Sequence, residues 1–436
     1  MSRVTVPRSS LVFATGLALA AGSAMMLDGA SGAIALAFQG QLNLQATDWH
    51  VPQESKLTVE EMEAARAAWG YFAANTRSET GFVDAVAGFP SATLWDQGSY
   101  LLGLVSAVRL GIVTETELDI RVAAFLDGLA RLELFHDKLP NKVYDTQTLQ
   151  MTDYANTRVE GGIGWSALDM ARLLMGLRVV EKHFPQHGDA IRDVIRGWDL
   201  AAMAQDGELM GFTREPEEDE EGALWQEGRI GYEQYGARAA ALWGLDVIRA
   251  MSAERIVDWN RIEGVEVAAD RRRAITFQAI TPVLSEPYLL MAFELGLDTE
   301  SAALAERVYQ AQEARYDETG HITMVSEDHL DAAPFFAYSS VTANGRAWAV
   351  VAEDGSFHSD MRTMSTKAAF GWYALVGSDY ADLARDAALE LATDEGFPAG
   401  IYEADGAVNE VFTLNTNAVI LEALHYQTAG PLWSVR

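Results

Sequence analysis

The sequence predicts an all-α chain folded as an (α/α)6 toroid: six helical hairpins closed into a barrel, forming a single domain over residues 45–436 after a signal peptide at residues 1–37. Three observations lead there. Helix-period hydrophobicity dominates the chain, the helical segments alternate between two kinds, and no Pro/Ser/Gly-rich linker divides them.

Read in order, the helical segments are 58–75, 96–111, 115–133, 163–183, 188–203, 232–251, 285–296, 299–316, 338–352, 365–377, 380–393 and 413–427. Gly, Pro and Asx residues punctuate them, as in "VGSDYAD" and "DEGFPAG". Segments starting near Asp96, Gly164, Tyr232, Ser285, Thr366 and Leu414 are rich in small and apolar residues, with polar or aromatic residues at their starts. Others, such as "LTVEEMEAARAAWGYF" and "ESAALAERVYQAQEARY", carry charge on one face. Apolar helices alternating with amphipathic ones imply an inner ring wrapped by an outer ring. The inner helices then present their polar starts, unpaired N–H groups and positive dipole ends to one common mouth.

Bulk properties bound the function. A formal charge of −31 over 436 residues excludes nucleic acid and anionic membrane surfaces as natural partners and suits a neutral or cationic ligand. The chain has no cysteine, so disulfides, thiolate metal sites and a cysteine nucleophile are excluded. Arg3 and Arg8 precede an apolar run from Leu11 to Leu27, and Ala35 and Ala37 satisfy a small-x-small cleavage rule. The expectation is export to the periplasm or medium with no membrane attachment after cleavage; an uncleaved anchor is the alternative. No metal or cofactor is expected. His183 and His187 are separated by the helix-breaking Pro185, and there is no HExxH, EF-hand or phosphate loop. The run Glu215 to Gly222, "EPEEDEEG", reads as a solvated loop.

The helix starts carry the candidate site, and each candidate has two readings. In "EGRIGYEQY", Glu233 is either a general acid raised by burial beside Tyr232 and Tyr235, or a first-turn carboxylate favoured by the dipole. Glu227 and Arg229 are either a salt bridge or groups that orient a ligand. Asp96 after Trp95 is either an N-cap or a base. "GIGWSALD" lacks the second glycine of a nucleophile elbow, which leaves Trp165 and Asp169 as mouth-lining candidates. "VSEDHLDAAPFFAYSSV" brings Glu327, Asp328 and Asp331 ahead of Tyr338, and a carboxylate there would face Glu233 and activate water. Glu286, Trp348 and Asn415 complete the ligand-facing set, with Trp95, Trp165, Tyr232, Tyr235, Tyr338 and Trp348 as platforms for sugar rings.

Taken in order, "TGFVDAVAGFPSATLWDQGSYL", "LPNKVYD", "YANT", "GIGWSALDMARLL", "EGRIGYEQYGARAAALWG", "SEPYLLMAFELG", "YQAQEARYDETG", "STKAAFGWYAL", "GIYE" and "FTLNTNAVILEAL" resemble the bacterial domain of unknown function 3131, from about Glu60 to Trp433. That family is distantly similar to glycoamylase-like enzymes and endo-β-1,2-glucanases, which are (α/α)6 toroids. The resemblance implies an inverting glycoside hydrolase acting on a β-glucan, with polysaccharide or oligosaccharide as its partner. "GYEQY" resembles the relatives' acid-bearing element, which carries the acid role onto Glu233, although Gln234 and Gly236 depart from the usual surroundings. The base does not carry over; Asp331 and then Asp96 are the candidates. A glucan transglycosylase and a non-catalytic polysaccharide-binding or envelope-assembly protein are the competing expectations.

Overall fold

The structure, a computed structural model, describes Trp49 and residues 56–214, 222–272 and 279–433. The signal-peptide expectation (1–37) and most of the acidic run (215–221) lie outside the described residues. The helices are α1 (Val59–Asn75), α2 (Leu94–Arg109), α3 (Glu115–Ala130), α4 (Ala167–His183), α5 (Gly188–Ile195), α6 (Tyr232–Ala241), α7 (Glu286–Leu290, continued as a π turn over Met291–Leu295), α8 (Thr299–Thr319), α9 (Thr366–Leu375), α10 (Asp379–Leu389) and α11 (Leu414–Ala429).

Six of these close a ring: α2 packs on α4, α4 on α6, α6 on α7, α7 on α9, α9 on α11, and α11 back on α2. They are the six segments whose apolar, small-residue sequences mark them as inner. The physical contrast is plain in α2 and α3. In α2 all but Leu94's near neighbours Trp95 and, at the far end, Val108 and Arg109 are buried, whereas α3 buries one stripe led by Leu118, Val122, Phe125 and Leu129. Small residues let the inner helices approach. A Cβ on Gly98 of α2 would stand 2.6 Å from the backbone of Arg172 in α4. Outside the ring, α1 covers α11 and α2, α3 covers α2, α5 covers α3 and α4, α8 covers α7, and α10 covers α9.

One expected helix is cut short and one does not form. Residues 232–251 stop being helical at Ala241, and turns follow instead of an outer helix. The Arg178 guanidinium donates to the Leu242 carbonyl at 2.7 and 3.2 Å, and Gly244 adopts φ +83, so the chain is capped and turned there. Residues 338–352 form antiparallel strands, not a helix. Phe336–Ser339 pairs with Glu327–His329 and with Val350–Val351. Between them Asn344 (φ 49) and Gly345 (φ 79) turn a hairpin that joins Thr342–Ala343 to Arg346–Ala347. The segment 188–203 is also shorter, with α5 ending at Ile195 before a 3-10 turn over Leu200–Met203.

The chain is therefore not all-α. Seven small sheets stand among the described residues, and strands lead directly into the ring. Ser91–Thr93 enters α2, Gly164–Trp165 enters α4, Thr363–Ser365 enters α9 and Val408–Phe412 enters α11. The strands form a collar around the helix starts, and this collar positions the site.

Candidate functional site

Three of the inner helices, α2, α4 and α11, start at a side-chain cap. Thr93 and Asp96 form a capping box on α2, Ser166 accepts from the Asp169 amide of α4 at 3.0 Å, and Thr413 accepts from the Thr416 amide of α11 at 3.1 Å. Gly231 precedes α6 at φ +92, and a Cβ there would lie 2.7 Å from Pro287, so only glycine permits this turn. Side chains from the first turns then meet. Trp95 of α2 lies edge-on to Tyr232 of α6 at 5.5 Å. Glu286 of α7 pairs with Lys367 of α9 and accepts from Asn415 of α11 at 2.7 Å.

Below them a buried polar column runs down the ring. Ser99 donates to Asn415 at 2.9 Å and accepts from Arg172 at 2.7 Å. Arg172 also donates to the Tyr235 hydroxyl at 2.8 Å, to Glu294, and to Glu422 at 3.1 Å, and it lies 5.0 Å from the Trp95 ring. Arg172, Glu294 and Glu422 are wholly buried. Burial and the adjacent Glu294 push Glu422 well above the ordinary carboxylate range, while Arg172 opposes the rise. Together the column and the Glu286–Lys367 pair draw a polar group from every inner helix into one connected floor.

Above the floor lies a cleft walled by carboxyls and tyrosines. Asp169 is partly open to water, yet burial raises its pKa to about 8, with the neighbouring Glu227 adding to the rise. Tyr154 lies within electrostatic reach of Asp169, Glu353 and Glu227, and Tyr338 within reach of Glu327, Glu353 and Asp169. Glu327 stands opposite Tyr338 across the strand pair. Burial and then Glu286 raise Glu327 to about 8, while Lys367 opposes the rise. Asp328 is raised by burial to about 7, again opposed by Lys367, whose ammonium is 3.7 Å away. Tyr232 faces both Glu286 and Glu327.

Glu233 does not belong to this group. Its side chain is buried against Arg272, which also holds Asp270 at 2.6 Å, and Glu208 lies nearby. Burial raises it to about 7 against the pull of Arg272. Asp331, the first base candidate, is exposed and accepts from Tyr402 at 2.7 Å and from the Glu410 amide at 3.3 Å; its contacts hold the collar together. Asp96 binds the Thr93 amide and hydroxyl at 3.0 and 2.8 Å, so it is the third residue of a capping box whose N-cap is Thr93.

Two of the expected sugar platforms are core residues. Trp165 is 3% exposed, stacks on Phe212 at 4.9 Å and donates to the Met210 carbonyl at 3.0 Å. Tyr235 is fully buried in the column and donates to Glu294 at 2.7 Å. Trp348 sits half-buried in the collar, donating to Glu263 at 2.8 Å with Arg315 over its ring at 5.2 Å. Glu227 accepts from Ser166 at 2.7 Å and from the Ala167 amide at 2.5 Å, which makes it a cap for α4 as well as a neighbour of Asp169. Arg229 donates to Gln226 at 2.9 Å. Trp95, Tyr232, Tyr338, Glu286 and Asn415 do lie in or under the cleft.

Tyr154, Glu353, Lys367 and the Arg172 column were not singled out by sequence. Lys367 had a signal, since a cation in the first turn opposes the helix dipole. Arg172, Glu294 and Glu422 had one too: each is a charge flanked by apolar residues within an inner helix. Arg272, beyond the hairpin that follows α6, had none. Among the described residues no group of three His, Asp or Glu side chains is arranged to hold a metal ion, and no helix is long and apolar enough to cross a membrane.

The architecture is shared with solved structures of low sequence identity. An endo-β-1,2-glucanase from Chitinophaga pinensis, in complex with sophorotriose and glucose, matches with a TM-score of 0.60 at 11% identity, covering 86% of this chain and 94% of that one. A protein provisionally assigned as a glucoamylase from Bacteroides caccae matches with a TM-score of 0.60 at 13% identity, covering 86% and 94%. An endo-β-1,2-glucanase from Talaromyces funiculosus, in complex with sophorose, matches with a TM-score of 0.53 at 12% identity, covering 84% of each chain. These likenesses show the fold. No curated protein matches the chain. The family described as "Protein of unknown function (DUF3131)" matches residues 63–430, and the chain belongs to it.

Proposed function

We propose that the protein is an inverting glycoside hydrolase acting on a β-glucan, built on an (α/α)6 toroid in which, among the described residues, turns and a strand hairpin follow the third inner helix. The observation that carries this reading is the carboxyl pair Asp169 and Glu327. They come from two different elements, Asp169 from the first turn of α4 and Glu327 from the strand paired opposite Tyr338, and burial raises the pKa of both. A glycosidase needs one carboxyl protonated toward the leaving oxygen and one ionised to activate water. The carboxyls Glu227 and Asp96 favour the protonated form of Asp169 and suit it to be the acid. Lys367 beside Glu327 favours the ionised form and suits Glu327 to be the base. Inversion requires room for a water, a carboxyl separation of roughly 6.5–9.5 Å in the bound state.

The acid role moves from Glu233 to Asp169 because an acid must reach the substrate, and Glu233 spends its carboxylate on Arg272. Tyr154, Tyr232, Tyr338 and Trp95 supply aromatic surface for sugar rings. The likeness in fold to β-1,2-glucanases supports a β-1,2-linked polymer as the first substrate to try. Export follows from the leader at residues 1–37, and N-terminal sequencing of the mature protein tests it.

The test is a reducing-end assay on β-1,2-glucan with the product anomer read by NMR. Wild type is expected to release α-anomers and to increase reducing ends. Altered chain lengths with no new reducing ends would instead mark a transglycosylase, and binding without turnover a non-catalytic glycan-binding protein.

A further inference from the structure

We infer that Lys367 is a positioning residue that assigns the base role to Glu327 by holding an ammonium in the floor of the cleft. The inference rests on the Asp169–Glu327 reading above and adds the device that tells the two carboxyls apart.

Lys367 stands where local physics opposes a cation. It is the second residue of α9, at the positive end of the dipole, and only 3% exposed. Burial works against its charge, yet Glu286, Asp328 and Glu327 together keep it firmly protonated. Its position is fixed through a chain of contacts across the ring. Glu286 pairs with Lys367 and is held by Asn415 at 2.7 Å and Ser326 at 3.2 Å. Asn415 is held by Ser99, and Ser99 by Arg172. Asp328 bounds the other side of the ammonium at 3.7 Å, with Ser365 beside its carboxyl.

The groups facing Glu327 are Glu286 from α7, Lys367 from α9, Tyr232 from α6, Tyr338 from the paired strand and Asp328 from its own strand. Two of these, Glu286 and Asp328, are carboxyls whose charge opposes ionisation of Glu327, and the Lys367 ammonium offsets them. The field of Lys367 also reaches Asp96 and His329. Asp169 is different: the carboxyls Glu227 and Asp96 outweigh the opposing pull of Lys142.

The acid limb of the kcat/KM profile reports the base of the free enzyme. Removing a neighbouring cation raises a carboxyl's pKa, so Lys367→Met is expected to move the acid limb of β-1,2-glucan hydrolysis up by about one pH unit or more. Lys367→Arg is expected to restore the limb toward wild type. Asp328→Asn, which removes a neighbouring carboxyl and keeps the ammonium, is expected to move the limb the opposite way. A merely structural role lowers activity equally at every pH and leaves the limb in place. That outcome in Lys367→Met, with Glu327→Gln inactive, overturns the inference and leaves the acid–base reading standing. If Lys367→Met does not fold, an unshifted limb in Asp328→Asn overturns it. Wild-type turnover in Glu327→Gln overturns the acid–base reading and the inference together.

Discussion

The starts of α4 and α6 look alike in sequence and do opposite things in the fold. Each offers an aromatic residue and a carboxylate beside an inner-helix cap: Trp165 with Asp169, and Tyr232 with Glu233. At α4 the aromatic is buried against Phe212 and the carboxyl looks into the cleft among other carboxyls. At α6 the aromatic looks into the cleft and the carboxylate is buried against a guanidinium. Successive helical residues point about 100° apart, so Tyr232 and Glu233 cannot both face the same space. What makes a first-turn carboxyl a chemical group is the direction it faces and the sign of its nearest charge, and neither is written in a short motif.

The comparison breaks most sharply at the chemistry. Asp169→Asn is expected to lower kcat on a hydrolysed β-glucan by about 10³-fold, the scale of losing a general acid. Glu233→Gln is expected to lower it by about tenfold or less, because Gln cannot replace the ion pair but leaves the cleft carboxyls intact. Kinetics of the two purified variants checks both.

Next comes the ion pair itself. Arg272→Met strips Glu233 and Asp270 of their shared cation and leaves buried carboxylates without compensation. A stability loss of about 3 kcal/mol is expected from denaturant unfolding. Electrostatically, Glu233 then resembles Asp169, yet no rescue of Asp169→Asn is expected from the double variant, since direction has not changed.

A smaller effect separates the two sites through pH. Asp169 binds its proton more tightly folded, at about 8, than an unfolded aspartate does, near 4. The folded state therefore holds the extra proton between those values, and stability falls as pH rises through that window. Asp169→Asn removes this penalty. Its Tm is expected to exceed that of wild type at pH 8 and to converge on it near pH 4, measured by calorimetry. Glu233→Gln is expected to show no such gain, because it forfeits the Arg272 pair. Smallest of all, Thr93→Ala opens the capping box that holds Asp96 and is expected to cost about 1 kcal/mol of stability with kcat little changed.

Much of the fold was legible. The six inner helices announce themselves because a helix buried on all sides must be apolar and small-residue-rich, with its polar groups confined to a capped start. The failures were tertiary or were missed punctuation. Residues 342–347 carry an Asn-Gly turn between β-branched and aromatic residues, a hairpin signal that outweighs the helical period of "RAWAVVA". The end of α6 depends on Arg178, which is remote in sequence. The site was legible in part, because helix starts were the right place to look: Asp169, Tyr232, Tyr338, Glu286 and Asn415 converge there. Glu233 was the favoured acid only while its partner was unknown, and Arg272 lies 39 residues away on a polar hairpin. Asp331 was preferred over Glu327 four residues earlier, although the strand that pairs Glu327 with Tyr338 brings Glu327, not Asp331, beside the other cleft carboxyls.

The central claim is that the acid enters from α4 and not from α6. Reducing-end release from β-1,2-glucan by wild type, Asp169→Asn and Glu233→Gln, assayed side by side at one pH near neutrality, tests it most directly. The expected result is turnover by wild type, near-complete loss in Asp169→Asn and retained turnover in Glu233→Gln. Full activity in Asp169→Asn together with an inactive, folded Glu233→Gln would contradict it and return the acid to α6.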